Sequence, residues 1–434
     1  MFAMDTLRYY GMWHRTLRNS PLTGYTIHKT LATTSSNDSL PSTISRVVNI
    51  LLQNTGQQDS YVLRRAYITT LCETAVAHMY PTEIFAATEP SFQIPEDGVR
   101  GWGKGRTDHV VLAAICLNIR PVVDAYLTTH ANSQPSSYYF GFALAAAVSQ
   151  GHLSMTERLL AHGLTYMGYN INHPLKCAAR AGHEQLVHLL SSRNIQWRRE
   201  AIYGAAQGGH LALLTSLLES PEIFEDDLME IIRELLLCGA EYGHLNVLEL
   251  GLRIGKVGHI SANLKNPDIT IVDLQNGAQI DNWALYKSLA EAVRGGFTTI
   301  VQMLLDLGLD INKDCTGRKE APLEVAAEAG RAESVRSLLD RGASIEGDLG
   351  LRAVTAAAKR GWLGVVDMLC DEGIVVAGTE ANWLASNPIL TAMKYDQAHI
   401  IDFFLQKDVA SIDRSSIDPC SGELKSNMCD IISV

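Results

Sequence analysis

Several signatures of chemistry are missing from this chain of 434 residues. There is no C-x-x-C pair and no H-E-x-x-H. The eight cysteines, Cys72, Cys116, Cys177, Cys238, Cys315, Cys370, Cys420 and Cys429, lie far apart, a spacing that suits buried free thiols in a reducing compartment rather than disulfides or a zinc site. No G-x-S-x-G elbow occurs, and no G-x-G-x-x-G follows a strand, so no recognised catalytic motif is present and enzymatic activity stays an open question that leans to no. Positive charge is in short supply. The 36 Lys and Arg against 47 Asp and Glu leave a net charge of −11, which argues against a general binder of nucleic acid or of an anionic membrane. No apolar run approaches the ~18 to 20 residues that span a bilayer. Arg8, His14, Arg15 and Arg18 interrupt the first twenty residues, so no secretory signal is evident there. The expectation is an intracellular protein, cytoplasmic or nuclear, with no cofactor and no metal.

What the chain does have is a recurring unit, and Ala321 to Ile345, APLEVAAEAGRAESVRSLLDRGASI, is one complete copy. Pro322 stands where a helix tolerates a residue without an N–H, and Leu323, Ala326 and Ala327 follow on one face. Gly330 stops that helix. A second helix places Val335, Leu338 and Leu339 on its apolar side, with Gly342 as the left-handed residue that ends it. A pair of this size cannot bury its apolar faces alone and must stack on others of its kind, with Leu338 and Leu339 in the core between units.

The unit resembles the ankyrin repeat, whose signature runs T-P-L-H-x-A-A-x-x-G-H, then two apolar pairs, then G-A-D over about 33 residues. Ala321-Pro322-Leu323-Glu324 takes the place of T-P-L-H and Gly342-Ala343-Ser344 that of G-A-D. His173-Pro174-Leu175-Lys176 with Ala178-Ala179 and Gly182-His183 is another copy, Asn387-Pro388-Ile389 opens a third, and Gly308 to Asn312 keeps the family's finger ending. Inter-helix turns fall at Asn118, Gly151, Gly182, Gly209, Gly243, Gly296, Gly330, Gly361 and Asp396. The resemblance, to divergent repeats of fungal type with no F-box evident, therefore implies an all-α ankyrin-repeat solenoid of about nine helix-turn-helix units over residues 109 to 408. It implies that His152, His183, His210 and His244, each following a turn glycine, make local hydrogen bonds rather than a metal site.

In chain order, residues 1–44 read as an N-terminal segment ending in a Ser/Thr-rich linker. Residues 45–108 read as a helical cap carrying a Gly-rich loop. The first block of repeats is assigned to 109–255, an insertion to 256–287 in which Ile269, Ile271 and Val272 suit a short strand or an ordered loop, a second block to 288–408, and a polar tail to 409–434. The Gly-rich loop alternates Gly98, Gly101, Gly103 and Gly105 with Arg100, Trp102, Lys104 and Arg106. Two readings stand for it, a basic flap that closes on an anion or acidic peptide, and a plain insertion.

In the resembled family the two variable positions after the Ala pair face a concave groove. Here they yield a strip of mixed sign: Arg180, Gln207, Glu241, Tyr242, Arg294, Glu328, Lys359, Arg360, Lys394 and Tyr395. Such a strip suits a protein partner with both charges, with the tyrosines as anchors, and equally suits a solvated helix face. The leading expectation is an interaction scaffold that binds a protein through this groove. The alternative is a small-molecule binder, or a noncanonical enzyme of a fungal-type metabolic pathway, with a pocket between the groove, the Gly-rich flap and the insertion, tested at Arg100, Trp102, Lys104, Tyr203 and Tyr242.

Overall fold

Short apolar faces at helical spacing, each closed by a residue that accepts left-handed backbone, fold as antiparallel helix pairs. The structure, a computed structural model, describes residues 21–34, 37–56, 58–79, 81–92, 106–130, 133–164, 173–192, 198–219, 228–257, 282–374 and 387–407. The chain divides into two compact units, Met1–Asp281 and Asn282–Val434.

The first unit opens with helices α1 (Pro21–Ala32), α2 (Leu40–Thr55), α3 (Tyr61–His78) and α4 (Pro81–Ala87). Five helix pairs follow: α5 (Arg106–Cys116) with α6 (Arg120–Thr129), α7 (Ala143–Ser149) with α8 (Leu153–Ala161), and α9 (Pro174–Arg180) with α10 (Glu184–Ser191). The last two are α11 (Arg198–Gly208) with α12 (Leu211–Leu218), and α13 (Leu228–Tyr242) with α14 (Leu245–Val257). Between α6 and α7 a two-stranded antiparallel finger joins β1 (Ser136–Ser137) to β2 (Gly141–Phe142), with Ser136 opposite Phe142. The second unit holds α15 (Asn282–Gly295) with α16 (Thr298–Asp306) and α17 (Pro322–Glu328) with α18 (Ala332–Asp340). It ends with α19 (Gly347–Arg360) paired to α20 (Leu363–Asp371) and α21 (Pro388–Lys394) paired to α22 (Ala398–Gln406). The architecture is the all-α repeat array anticipated from the sequence.

Small residues set the stacking distance. Ala147, Ala179, Ala206 and Ala240 in the first unit, and Ala292, Ala327, Ala358 and Ala392 in the second, are each fully buried on first helices. The second helices supply the branched filling: Leu159, Val187, Leu214 and Leu248, then Val301, Leu338 and Leu369, all with no exposed surface. Leu339, by contrast, is only half-buried, so the expected pair splits into one core residue and one at the margin.

Every inter-helix turn named from the sequence has positive φ, from 55° at Asn118 to 82° at Gly296. At Gly209 the requirement is double. Its φ is 71°, and a Cβ there would lie 2.6 Å from Nδ1 of His244 on the next pair. The ring belongs to the residue after the turn and reaches back one repeat: Nε2 of His244 donates to the carbonyl of Gln207 at 3.0 Å, that of His210 to Arg180 at 3.0 Å, and that of His152 to Cys116 at 2.9 Å. In the second unit other donors take the same place, Arg331 Nε on the Arg294 carbonyl and Trp362 Nε1 on the Glu328 carbonyl, each at 2.9 Å. The backbone position is constant and the side chain that serves it varies.

Helices α1 and α2 overturn the linker reading of the Ser/Thr-rich run. Thr30, Ser42 and Thr43 are buried. Within α1 the Thr26 and Thr30 hydroxyls donate to the carbonyls four residues back, both at 2.8 Å, so burial leaves those hydroxyls bonded. The insertion also contracts at both margins, since α14 extends to Val257 and α15 begins at Asn282. Residues 258–281, with the strand proposed at Ile269 to Val272, and the tail from 408 lie outside the described residues.

Candidate interaction site

Close approach of first helices sets their C-terminal ends side by side. Between α9 and α11 it is tightest, where a Cβ on Gly204 would lie 2.3 Å from the Lys176 carbonyl and one on Gly208 2.3 Å from the Arg180 carbonyl. As a result, four successive pairs of the first unit contribute to one cavity of about 380 Å³ that is open to solvent. Ser149, Gln150, Arg180, Gln207 and Tyr242 line it, and α3 adds a wall through Glu73, Thr74, Val76 and Ala77. The Gln150 side-chain amide donates to the Thr74 hydroxyl at 3.1 Å and ties that wall to the end of α7.

Around the cavity most polar groups are committed. Gln207 is buried, one helical turn beyond Tyr203 on α11. Lys176, 8% exposed, places Nζ 3.8 Å from the centre of the Tyr203 ring, and burial pulls its ammonium below the ordinary lysine range while Glu200 opposes the shift. Burial, reinforced by the charges of neighbours that include Glu241, raises the hydroxyls of Tyr203 and Tyr242, so both remain protonated donors. Burial likewise raises the Cys177 thiol, which lines the cavity as an un-ionised group. Arg180 stands apart. Among the described residues its guanidinium makes no hydrogen bond or ion pair, and its recorded influence is the field it exerts on neighbours such as Tyr242.

The corresponding positions of the second unit are paired among themselves. Arg294 meets Glu291 at 2.8 Å, and Lys287 reaches the other oxygen of the same carboxylate at 3.0 Å. Glu328 receives Arg360 at 2.7 Å and Lys359 at 3.8 Å. Lys359 and Lys394 also lie over the Tyr395 ring, at 5.6 and 5.8 Å from its centre. Tyr395 itself is 44% exposed. Nearer the start of the same first helices, Arg352 pairs with the half-buried Glu324, and burial raises that carboxyl against the pull of Arg352.

The structure thus separates the strip into two sets. Arg180, Gln207 and Tyr242 converge on a cavity, with the half-buried Glu241 beside Tyr242, whereas Arg294, Glu328, Lys359 and Arg360 are drawn into intramolecular pairs. Of the proposed flap, Arg100, Trp102 and Lys104 lie outside the described residues, and Arg106 opens helix α5 instead of ending a loop. Sequence reasoning missed the α3 wall. Glu73 and Thr74 sit in a segment without a repeat signature, and only their approach to Gln150 marks them. Lys176, also missed, carried a signal, a lysine at the polar position of the T-P-L-H segment one unit before Tyr203, which the sequence had already named.

Among the described residues no helix is long and apolar enough to cross a membrane, and no cluster of metal-ligating side chains occurs. No family model matches the chain. The Ankyrin repeat and KH domain-containing protein mask-1 of Caenorhabditis elegans is 29% identical over 224 residues, which is 48% of this chain and 8% of that protein. The chain therefore spans less than a tenth of that relative's length. The crystal structure of the human ASB11 ankyrin repeat domain aligns with a TM-score of 0.33 at 20% identity, over 60% of this chain and 96% of that one.

Proposed function

This chain is an array of ankyrin repeats, and from that premise we propose that it is an interaction scaffold that docks a protein partner on its first-helix face. The observation that carries this reading is the convergence of Ser149, Gln150, Arg180, Gln207 and Tyr242, from four successive repeats, on one solvent-open cavity. A partner side chain seated there is held by groups that α3 and the stacked repeats already position, so little ordering cost attends binding. Tyr242 supplies aromatic area with a protonated hydroxyl, and Arg180 supplies charge, two residue types enriched among binding hot spots. The docking face is assigned to the first unit because Arg294, Lys359 and Arg360 of the second unit's strip already pair with Glu291 and Glu328.

Affinity purification from cell extract tests the assignment with three proteins: wild type, Arg180→Ala with Gln207→Ala, and Arg294→Ala with Lys359→Ala. The first double variant should lose specific partners that the second retains. Equal recovery by all three would remove the first unit's cavity from the interaction.

A second reading, a small-molecule site, draws support from the cavity volume of about 380 Å³, which lies within the ~300 to 1,000 Å³ of ligand pockets. It requires a ligand that protects the first unit against unfolding without any protein present.

A further inference from the structure

We infer that the cavity of the first unit takes a single carboxylate of a partner peptide, bound by Arg180. The inference rests on the docking reading above and names the chemistry of its anchor. Three observations converge on it.

Arg180 is the one cation lining the cavity, and it makes no hydrogen bond or ion pair among the described residues. A guanidinium presents a planar fork of donors that matches a carboxylate with two parallel hydrogen bonds. The other polar groups of the lining, Glu73 apart, are occupied or neutral. Gln150 bonds Thr74, Ser149 donates to the Ala146 carbonyl at 3.0 Å, Gln207 is an uncharged amide, and Tyr242 keeps its proton.

The charge count of the lining selects the anion. Glu73 lies in the same lining as Arg180, so the cavity holds one positive and one negative side chain, while His244 is held toward its neutral form by burial. A doubly charged phosphate would meet one cation and a repelling carboxylate. A singly charged carboxylate suits one guanidinium, with the Tyr242 hydroxyl available as a further donor.

The second unit supplies the internal contrast. There Arg294, Lys359 and Arg360 have each found a carboxylate from their own array, in the way Arg360 takes Glu328. Arg180 is the position at which the array leaves that carboxylate to be brought by another molecule. Its own backbone is fixed independently, because the Arg180 carbonyl accepts from His210 Nε2 at 3.0 Å whatever side chain is present.

The test uses the full chain and three immobilised random hexapeptide libraries. One has a free C-terminal carboxylate and no Asp or Glu, one is amidated and carries a single Asp or Glu, and one is amidated without either. Retention of wild type by one of the first two libraries, at least tenfold above the third, is expected, because charge-assisted hydrogen bonds to a carboxylate are stronger than neutral ones. Which of the two retains it identifies whether the carboxylate is a chain end or a side chain. Arg180→Gln should abolish the difference, Arg180→Lys should restore part of it, and Arg294→Gln should leave it intact. Unchanged helical circular dichroism establishes that the variants are folded. Equal retention by all three libraries, unaltered by Arg180→Gln, overturns the carboxylate anchor and leaves peptide docking standing. Retention by none overturns the anchor as well, and the fate of the docking reading is then decided separately by the extract purification.

Discussion

The first-helix faces of the two units are built from the same residue types and reach opposite electrostatic outcomes. In the first, Arg180 faces a cavity without an ion-pair partner among the described residues. In the second, Arg294, Lys359 and Arg360 are spent on Glu291 and Glu328. A strip of charges counted along a repeat array therefore measures what could bind, and the pairing within the fold decides what remains available. Part of the difference lies in where the carboxylates fall. Glu291 precedes Arg294 by one helical turn, and Glu328 sits on the helix next to that of Arg360, whereas the positions flanking Arg180 are held by Gln150 and Gln207.

The comparison also extends to stability. The largest effect is expected in the core of the second unit. Leu338→Ala should cost ~2 to 5 kcal/mol, because Leu338 has no exposed surface, and Leu339→Ala distinctly less. Urea denaturation checks this, and equal losses would break the assignment of a single core-facing leucine.

Acid should distinguish the units next. His109 and His173, both in the first unit, are pushed down to about 4 by burial, aided by Arg46 and by Lys176 respectively, with Asp38 opposing at His109. The folded state thus binds fewer protons than the unfolded chain. Stability is full above the unfolded value near 6.5 and falls as pH drops through 6.5 toward 4, by about 1.4 kcal/mol per histidine at pH 5.5. The sign agrees with geometry at His173, whose Nδ1 accepts from the Leu175 N–H at 3.3 Å and would lose that bond on protonation. Hydrogen exchange at pH 7.5 and 5.5 should show protection falling more in the first unit, and loss confined to the second would contradict it.

Smaller effects sharpen the account of the turns. Gly209→Ala should cost roughly 1 to 2 kcal/mol for left-handed backbone, plus displacement of the His244 ring. Gly342→Ala, at φ 85° with nothing within 4 Å of its Cβ, should show the backbone part alone. Identical melting shifts would mean that the ring does not matter. Smallest of all, Lys359→Ala should change stability by less than about 1 kcal/mol, since Glu328 keeps Arg360 at 2.7 Å, and a larger loss in thermal denaturation would assign Lys359 a structural role.

Local periodicity and turn chemistry were enough to identify the repeats. All nine turn residues picked from the sequence have positive φ, and the alanines of the family pattern are the buried ones. These features are local, since a left-handed residue and a 3.6-residue apolar face depend on neighbours within one or two helical turns. The Ser/Thr-rich run was misread for the converse reason: composition does not reveal that a threonine hydroxyl bonds within its own helix when the helix is buried.

The same chain, without its folded form, named Arg180, Arg294, Lys359 and Arg360 as equivalent. Tertiary structure made them unlike. Apart from the local pair of Arg294 with Glu291, the contacts that separate them join residues about 30 or more positions apart, as in Arg360 to Glu328, or depend on helix α3, which carries no repeat signature and brings Thr74 to Gln150 across 76 positions. Ion pairing and cavity formation depend on the rotamers and stacking offset of neighbouring repeats, quantities that a pattern of residue types along one strand of sequence does not contain.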